Sequence, residues 1–178
     1  MPKYDIFHLI AGLRDKEHIC CILIGGFAVN FHKYSRHTMD VDFLITKEDF
    51  QKIRGPLESA GYKSYRDNEN FVQLKDGQGI HMDIDFMFVD QETVLGIKEE
   101  GKTVKFVGEE FTVPSLQHLI ALKLHAMKCN KGRLTIDLVD IINLIKLNEV
   151  DFKSKDFEAL CLKFGTQEIY NKIKEALI

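Results

Sequence analysis

Apolar positions along the chain follow two periods, and each stretch declares which one it uses. Over residues 4–18, Ile6, Phe7, Leu9, Ile10 and Leu13 recur at helical spacing and predict an opening amphipathic helix. Ile22-Leu23-Ile24 is a short apolar run that predicts a buried strand; Gly25-Gly26 stops it, and Phe27, Ala28, Val29 and Phe31 resume helical spacing. Residues 39–45 predict a second strand. Thr46, with Asp49 three residues on, is a helix start, and the helix is expected to run to Ala60 and close at Gly61. Short strands are expected at 62–65 and 71–74, a longer one at 80–88, a helix at 91–100, and a hairpin from 103–107 and 110–113. Pro114-Ser115 opens a helix reaching Met127, Asn130-Lys131-Gly132 breaks it, another begins at 134–142, and two more cover 152–164 and 167–178.

Strands mixed with helices up to Val113, and helices alone beyond it, predict an α+β (α/β) fold. The expected organisation is a mixed sheet packed with helices over residues 1–113 and a helical part over 114–178, packed on it as one folding unit.

Candidate chemistry sits on the strand at 39–45. Side chains alternate faces, so Asp40 and Asp42 point the same way, with Cα atoms about 6–7 Å apart. Two carboxylates so close repel each other, and a hard divalent cation with oxygen ligands relieves that. A side-chain-free turn such as Gly25-Gly26 at a helix start lets backbone N–H groups approach a phosphate. On the strand at 80–88, His81, Asp83 and Asp85 share a second carboxylate-bearing face. Lys123 is out of place, a cation inside the apolar stripe of its helix.

Composition changes this picture little. The 178 residues are 45% hydrophobic, enough for one compact domain or a domain with a small appendage. A net charge of −3 argues against electrostatic nucleic-acid binding by the whole surface, although Lys123, Lys128, Lys131 and Arg133 form a local basic run. The four cysteines show no C-x-x-C pairing and are expected to be reduced core thiols. Without a membrane-length apolar run or a signal peptide, the expected location is the cytoplasm.

Gly25-Gly26, Ala28, His32, Arg36, Thr38, Asp40 and Asp42 together resemble the signature of the nucleotidyltransferase superfamily, the DNA-polymerase-beta-like fold. The G-G-x-A, H, R-x-T-x-D-h-D form is most similar to minimal nucleotidyltransferases of the AbiEii type, often found in toxin–antitoxin or phage-defence pairs. Val113-Pro114-Ser115 with residues 119–124 resembles that group's next block, and Arg133, Asp137 and Asp140 resemble its R-x-x-D-x-x-D element. The resemblance implies transfer of a nucleoside monophosphate from an NTP, such as ATP, with two Mg2+ (or Mn2+) ions held by Asp40, Asp42 and a third acid. Asp85 is the first candidate for the third, since an apolar tail follows it, and Asp83 the alternative. The resemblance also implies phosphate binding by Gly25, Gly26, Arg36, Thr38 and Lys123, and substrate contacts from Arg133 and Asp137. The implied acceptor is a tRNA end, a cognate partner protein or a small molecule. A binding module that has lost turnover, serving as the regulatory half of a protein pair, is the alternative function.

Overall fold

The computed structural model describes residues 5–178. The chain divides into two compact units, one of residues 1–28 and 37–115, the other of residues 29–36 and 116–178.

The first unit is built on a seven-stranded mixed sheet: β1 (Cys21–Leu23), β2 (Asp40–Ile45), β3 (Tyr62–Asp67), β4 (Phe71–Asp76), β5 (Asp83–Phe88), β6 (Lys102–Phe106) and β7 (Glu109–Val113). Their order across the sheet is β3-β4-β5-β2-β1-β7-β6. β2 lies between β1, antiparallel to it, and β5, parallel to it, so the expected mixed α+β architecture is what the chain adopts. Helices α1 (Ile6–Glu17), α3 (Lys47–Ser59) and α4 (Gln91–Glu100) belong to the same unit.

One face of β2 and β5 supplies the core. Val41, Phe43, Ile84 and Phe86 are fully buried there, with the Phe43 and Phe86 rings stacked at 5.7 Å. Phe50 of α3 closes on Phe86 at 5.1 Å, and Phe7, Phe27, Phe106 and Phe111 form a second aromatic cluster. Because side chains alternate, burying these residues turns Asp40, Asp42, Asp83 and Asp85 to the other face.

Local signals account for most element ends. The Thr46 hydroxyl accepts the Asp49 N–H at 3.0 Å, the cap that the sequence announces for α3. Several boundaries differ from expectation: β3 and β4 run on to Asp67 and Asp76, into stretches expected as turns, and the helix expected from residue 152 begins at Lys155. Two further shifts have a visible cause. The strand expected from residue 80 starts at Asp83, because the Asp76 carboxylate accepts the N–H groups of Gln78, Ile80 and His81 and ties that stretch into a loop. The helix after the glycines, α2 (Gly25–Phe31), begins at Gly25 itself, since one left-handed residue (φ 60°) makes the whole turn.

The second unit contains α5 (Leu116–Cys129), a 3-10 turn (Lys131–Arg133), α6 (Leu134–Leu147), α7 (Lys155–Phe164) and α8 (Gln167–Leu177). Leu119, Leu124, Ile141, Leu144, Cys161 and Ile173 form its core. Cys21 and Cys161 are buried thiols, each pushed up to about 12 by burial. Cys129 departs from the expected core placement: it is exposed, with its Sγ 3.4 Å from His125 Nε2. No helix among the described residues is long and apolar enough to cross a membrane.

Candidate active site

β2 and β5 pair in parallel register, Asp40 opposite Asp83 and Asp42 opposite Asp85. Asp40, Asp42 and Asp85 each offer a carboxylate oxygen within 4.8 Å of the others, and all three are half-buried. Asp83 lies one step away along β5 and is outside this cluster. Three anionic groups converging in partial burial repel one another strongly, and the oxygen-only donor set suits a hard divalent cation. Mg2+ or Mn2+ therefore fits the residues present.

Each acid is oriented by a neighbour. The Thr38 hydroxyl donates to Asp40 Oδ1 at 3.0 Å. Gln73 of β4, directly opposite Asp85, donates from Nε2 to Asp85 Oδ2 at 2.5 Å. The backbone carbonyl of Asp42 accepts the Ile24 N–H at 2.9 Å, fixing the start of the glycine turn against the strand. Gln73 is absent from the sequence-based set. Its alternation within 71–74 was visible, but only the β4–β5 register makes it a partner of Asp85.

The two glycines are required by close approach. A Cβ on Gly25 would fall inside the Asp42 carboxylate, and one on Gly26 would lie 2.5 Å from Thr38 Oγ1. Gly25→Ala must therefore displace Asp42 while also placing a side chain at φ 60°, a backbone penalty of about 1–2 kcal/mol. The expected result is a lower melting temperature and at least about a tenfold loss of nucleotidyl transfer, since misplacement of about 1 Å costs up to about 100-fold. Thermal melting and an initial-rate assay check both.

In the helical unit, Lys123 is 5% exposed, and its Nζ donates to Asp140 Oδ2 at 2.6 Å and Asp137 Oδ1 at 2.9 Å. Arg36 Nη2 donates to Asp140 Oδ2 at 3.1 Å, and Arg133 Nε to Asp137 Oδ2 at 2.8 Å. Burial works to raise the Asp137 carboxyl, but the Arg133 hydrogen bond and the Lys123 charge outweigh it and hold the group below its ordinary value. Five sequence-predicted or motif residues thus meet in one ion-pair network, in which Lys123, Asp137 and Asp140 are buried. The oddity of Lys123 in an apolar stripe has its physical reason here, since two acids one helical turn apart on α6 receive it.

A search among curated protein sequences gives no match. Among solved structures, the chain is similar to ANT(2")-Ia in complex with adenylyl-2"-tobramycin, at 12% identity and TM-score 0.58, covering 96% of this chain and 94% of that one. It is also similar to the lincosamide antibiotic adenylyltransferase LnuA, lincomycin-bound, at 19% identity and TM-score 0.55 over 78% and 93% of the two chains. An antigenic nucleotidyltransferase-like protein from Paracoccidioides brasiliensis aligns at 16% identity and TM-score 0.55 over 95% and 88%. At these identities the likeness establishes the fold. A family model described as an uncharacterised nucleotidyltransferase matches residues 4–173, nearly the whole chain, and the protein therefore belongs to that nucleotidyltransferase family.

Proposed function

We propose that the protein moves a nucleoside monophosphate from an NTP to an acceptor hydroxyl in a divalent-metal-dependent reaction. The observation that carries this reading is the convergence of the Asp40, Asp42 and Asp85 carboxylates within 4.8 Å of one another, beside a turn of two glycines. Asp40, Asp42 and Asp85 would hold two Mg2+ or Mn2+ ions. Bound there, such ions supply charge neutralisation on the transferring and leaving phosphates and activation of the acceptor oxygen.

The chain's own groups do the positioning. Thr38 keeps Asp40 turned into the cluster and Gln73 does the same for Asp85. The backbone at Gly25 and Gly26, bare of side chains, is the proposed seat of the β- and γ-phosphates. Of the residues that the resemblance adds, Arg36 and Lys123 are proposed as further cations for the phosphates, and Arg133 with Asp137 for the substrate. Two of the three Lys123 N–H donors are already engaged by Asp137 and Asp140.

Calorimetry with Mg-ATP, Mg-CTP, Mg-GTP and Mg-UTP tests the site directly. Binding of at least one nucleotide by the wild type, abolished in Asp40→Ala/Asp42→Ala, is the expected result; equal affinity in the two proteins would overturn the reading. Incubation of labelled NTP with tRNA, cell protein or small hydroxylated antibiotics then identifies the acceptor class. Nucleotide binding with no label on any acceptor would favour a binding module without turnover.

A further inference from the structure

β4 and β3 carry the sheet from the carboxylates to its edge. Cross-strand partners share a face, so register lays out a row: Asp42 beside Asp85, Asp85 beside Gln73, and Gln73 beside Arg66. Lys75, two residues from Gln73 and therefore on the same face, is paired with Lys63. A bulge between Ser64 and Arg66 leaves Tyr65 outside the ladder, and its ring lies 4.5 Å from the Lys75 ammonium. Bulges beside active sites commonly re-aim a side chain. Burial first, then the charges of Asp85 and Asp83, raise the Tyr65 phenol.

Lys63, Tyr65, Arg66 and Lys75 are all exposed. A lysine on an edge strand is a common guard against pairing with another chain. That explains Lys63, but not a guanidinium, a second lysine and an aromatic ring gathered beside three acids. The hairpin's own acids do not cancel the charge. Asp67 is paired with Arg54 at 2.9 Å and Asp76 is turned inward onto three backbone N–H groups, which leaves Glu69 in the connecting turn.

We propose that the β3–β4 hairpin is a ledge for the 3′ end of a single-stranded nucleic acid, with Lys63, Arg66 and Lys75 on backbone phosphates and Tyr65 stacked on a base. The terminal hydroxyl then lies at Asp40, Asp42 and Asp85. Two strand spacings, about 10 Å, separate Asp85 from Arg66, the rise of about three stacked nucleotides. The inference rests on the nucleotidyl-transfer reading above and gives its acceptor. The terminal 3′ oxygen bonds to the α-phosphorus, the bond from that phosphorus to the bridging oxygen breaks, pyrophosphate leaves with the electron pair, and the hydroxyl proton passes to water. A polycationic small acceptor would be repelled by the same ledge.

Fluorescence anisotropy with a short 5′-labelled single-stranded RNA, and with the same sequence as DNA, tests the proposal in the full chain. The wild type should bind at least one of the two strands, and the stronger of them identifies the sugar. Lys63→Ala/Arg66→Ala/Lys75→Ala should weaken binding about tenfold or more and reduce the slope of log affinity against log salt by about 2, at roughly 0.7 for each phosphate no longer neutralised. Tyr65→Ala should weaken it about tenfold by removing the stacking platform, and Arg66→Lys should retain most of the affinity. Unchanged melting of the triple variant controls for folding. The ledge is overturned if wild type binds neither strand at low salt, if the triple variant binds as well as wild type, or if it loses NTP affinity in place of strand affinity. Asp42→Asn should still bind the strand. Ledge-dependent binding with no transfer to any acceptor would sink the nucleotidyl-transfer reading alone. Transfer to a protein or small molecule, undiminished in the triple variant, would sink the ledge alone.

Discussion

Asp42→Asn should lower kcat/KM for nucleotidyl transfer by about 1,000-fold or more while leaving the fold intact. A metal clamp on a phosphoryl centre contributes several kcal/mol of transition-state stabilisation, and about 4 kcal/mol corresponds to that factor. Asp42 is the acid held closest to Gly25 and the one opposite Asp85, so its loss opens the cluster at the centre. Amide for carboxylate keeps the shape but removes one of three converging charges. The variant should therefore melt at the same temperature as wild type, or slightly higher, when divalent cations are chelated. Added Mg2+ should raise the melting temperature of the wild type, by an amount equivalent to about 2.7 kcal/mol at 100 times Kd, and should scarcely move the variant. A full catalytic rate in Asp42→Asn, or an equal Mg2+ response in both proteins, would remove the cluster from the mechanism.

Lys123→Met should be the most damaging single change to the helical unit. The ammonium is the shared partner of Asp137 and Asp140, which are 0% and 1% exposed. Removing one member of a buried ion pair costs about 3–5 kcal/mol because the remaining charge keeps its desolvation penalty. Here each acid retains an arginine, Arg133 on Asp137 and Arg36 on Asp140, so the lower figure applies. A loss of about 3 kcal/mol corresponds to a melting temperature about 6–12 °C lower in a chain of this size. The same network sets an acid limit. Asp137 is held below its ordinary value of 3.8, so it binds its proton less readily folded than unfolded. Its contribution is present in full above about pH 4 and is lost as pH falls through the lower folded value. Asp137→Asn should flatten that acid limb in melts collected between about pH 2 and 5, and an unchanged limb would place the acid sensitivity elsewhere.

What the sequence made legible follows from local rules. Alternation along one strand suffices to put Asp40 and Asp42 on a common face, and the Thr46 cap needs only four residues of context. The helical period of α5 likewise exposed Lys123 as a misfit. Relations between distant segments were not legible. Whether Asp83 or Asp85 stands beside Asp42 depends on the β2–β5 register, and a shift of two residues, which keeps every side chain on its face, would exchange them. Gln73 becomes an orienting group only through that register and the next. The Arg36–Asp140 pairing spans 104 residues and has no local signal. Asp76 shortened β5 through three backbone bonds, and a side chain competing for N–H groups leaves no trace in hydrophobic periodicity.

The parallel pairing of β2 with β5 also dictates when the chemistry can come into being. Parallel neighbours cannot be joined by a tight hairpin, and here α3, β3 and β4 all intervene before Asp85 comes alongside Asp42. During synthesis the first two acids emerge well before the third, and ordering such a long loop precedes any reward from the pairing it closes. A nascent chain halted ahead of β5 thus lacks the third acid of the proposed metal cluster, which is assembled only once the middle of the sheet has zipped shut.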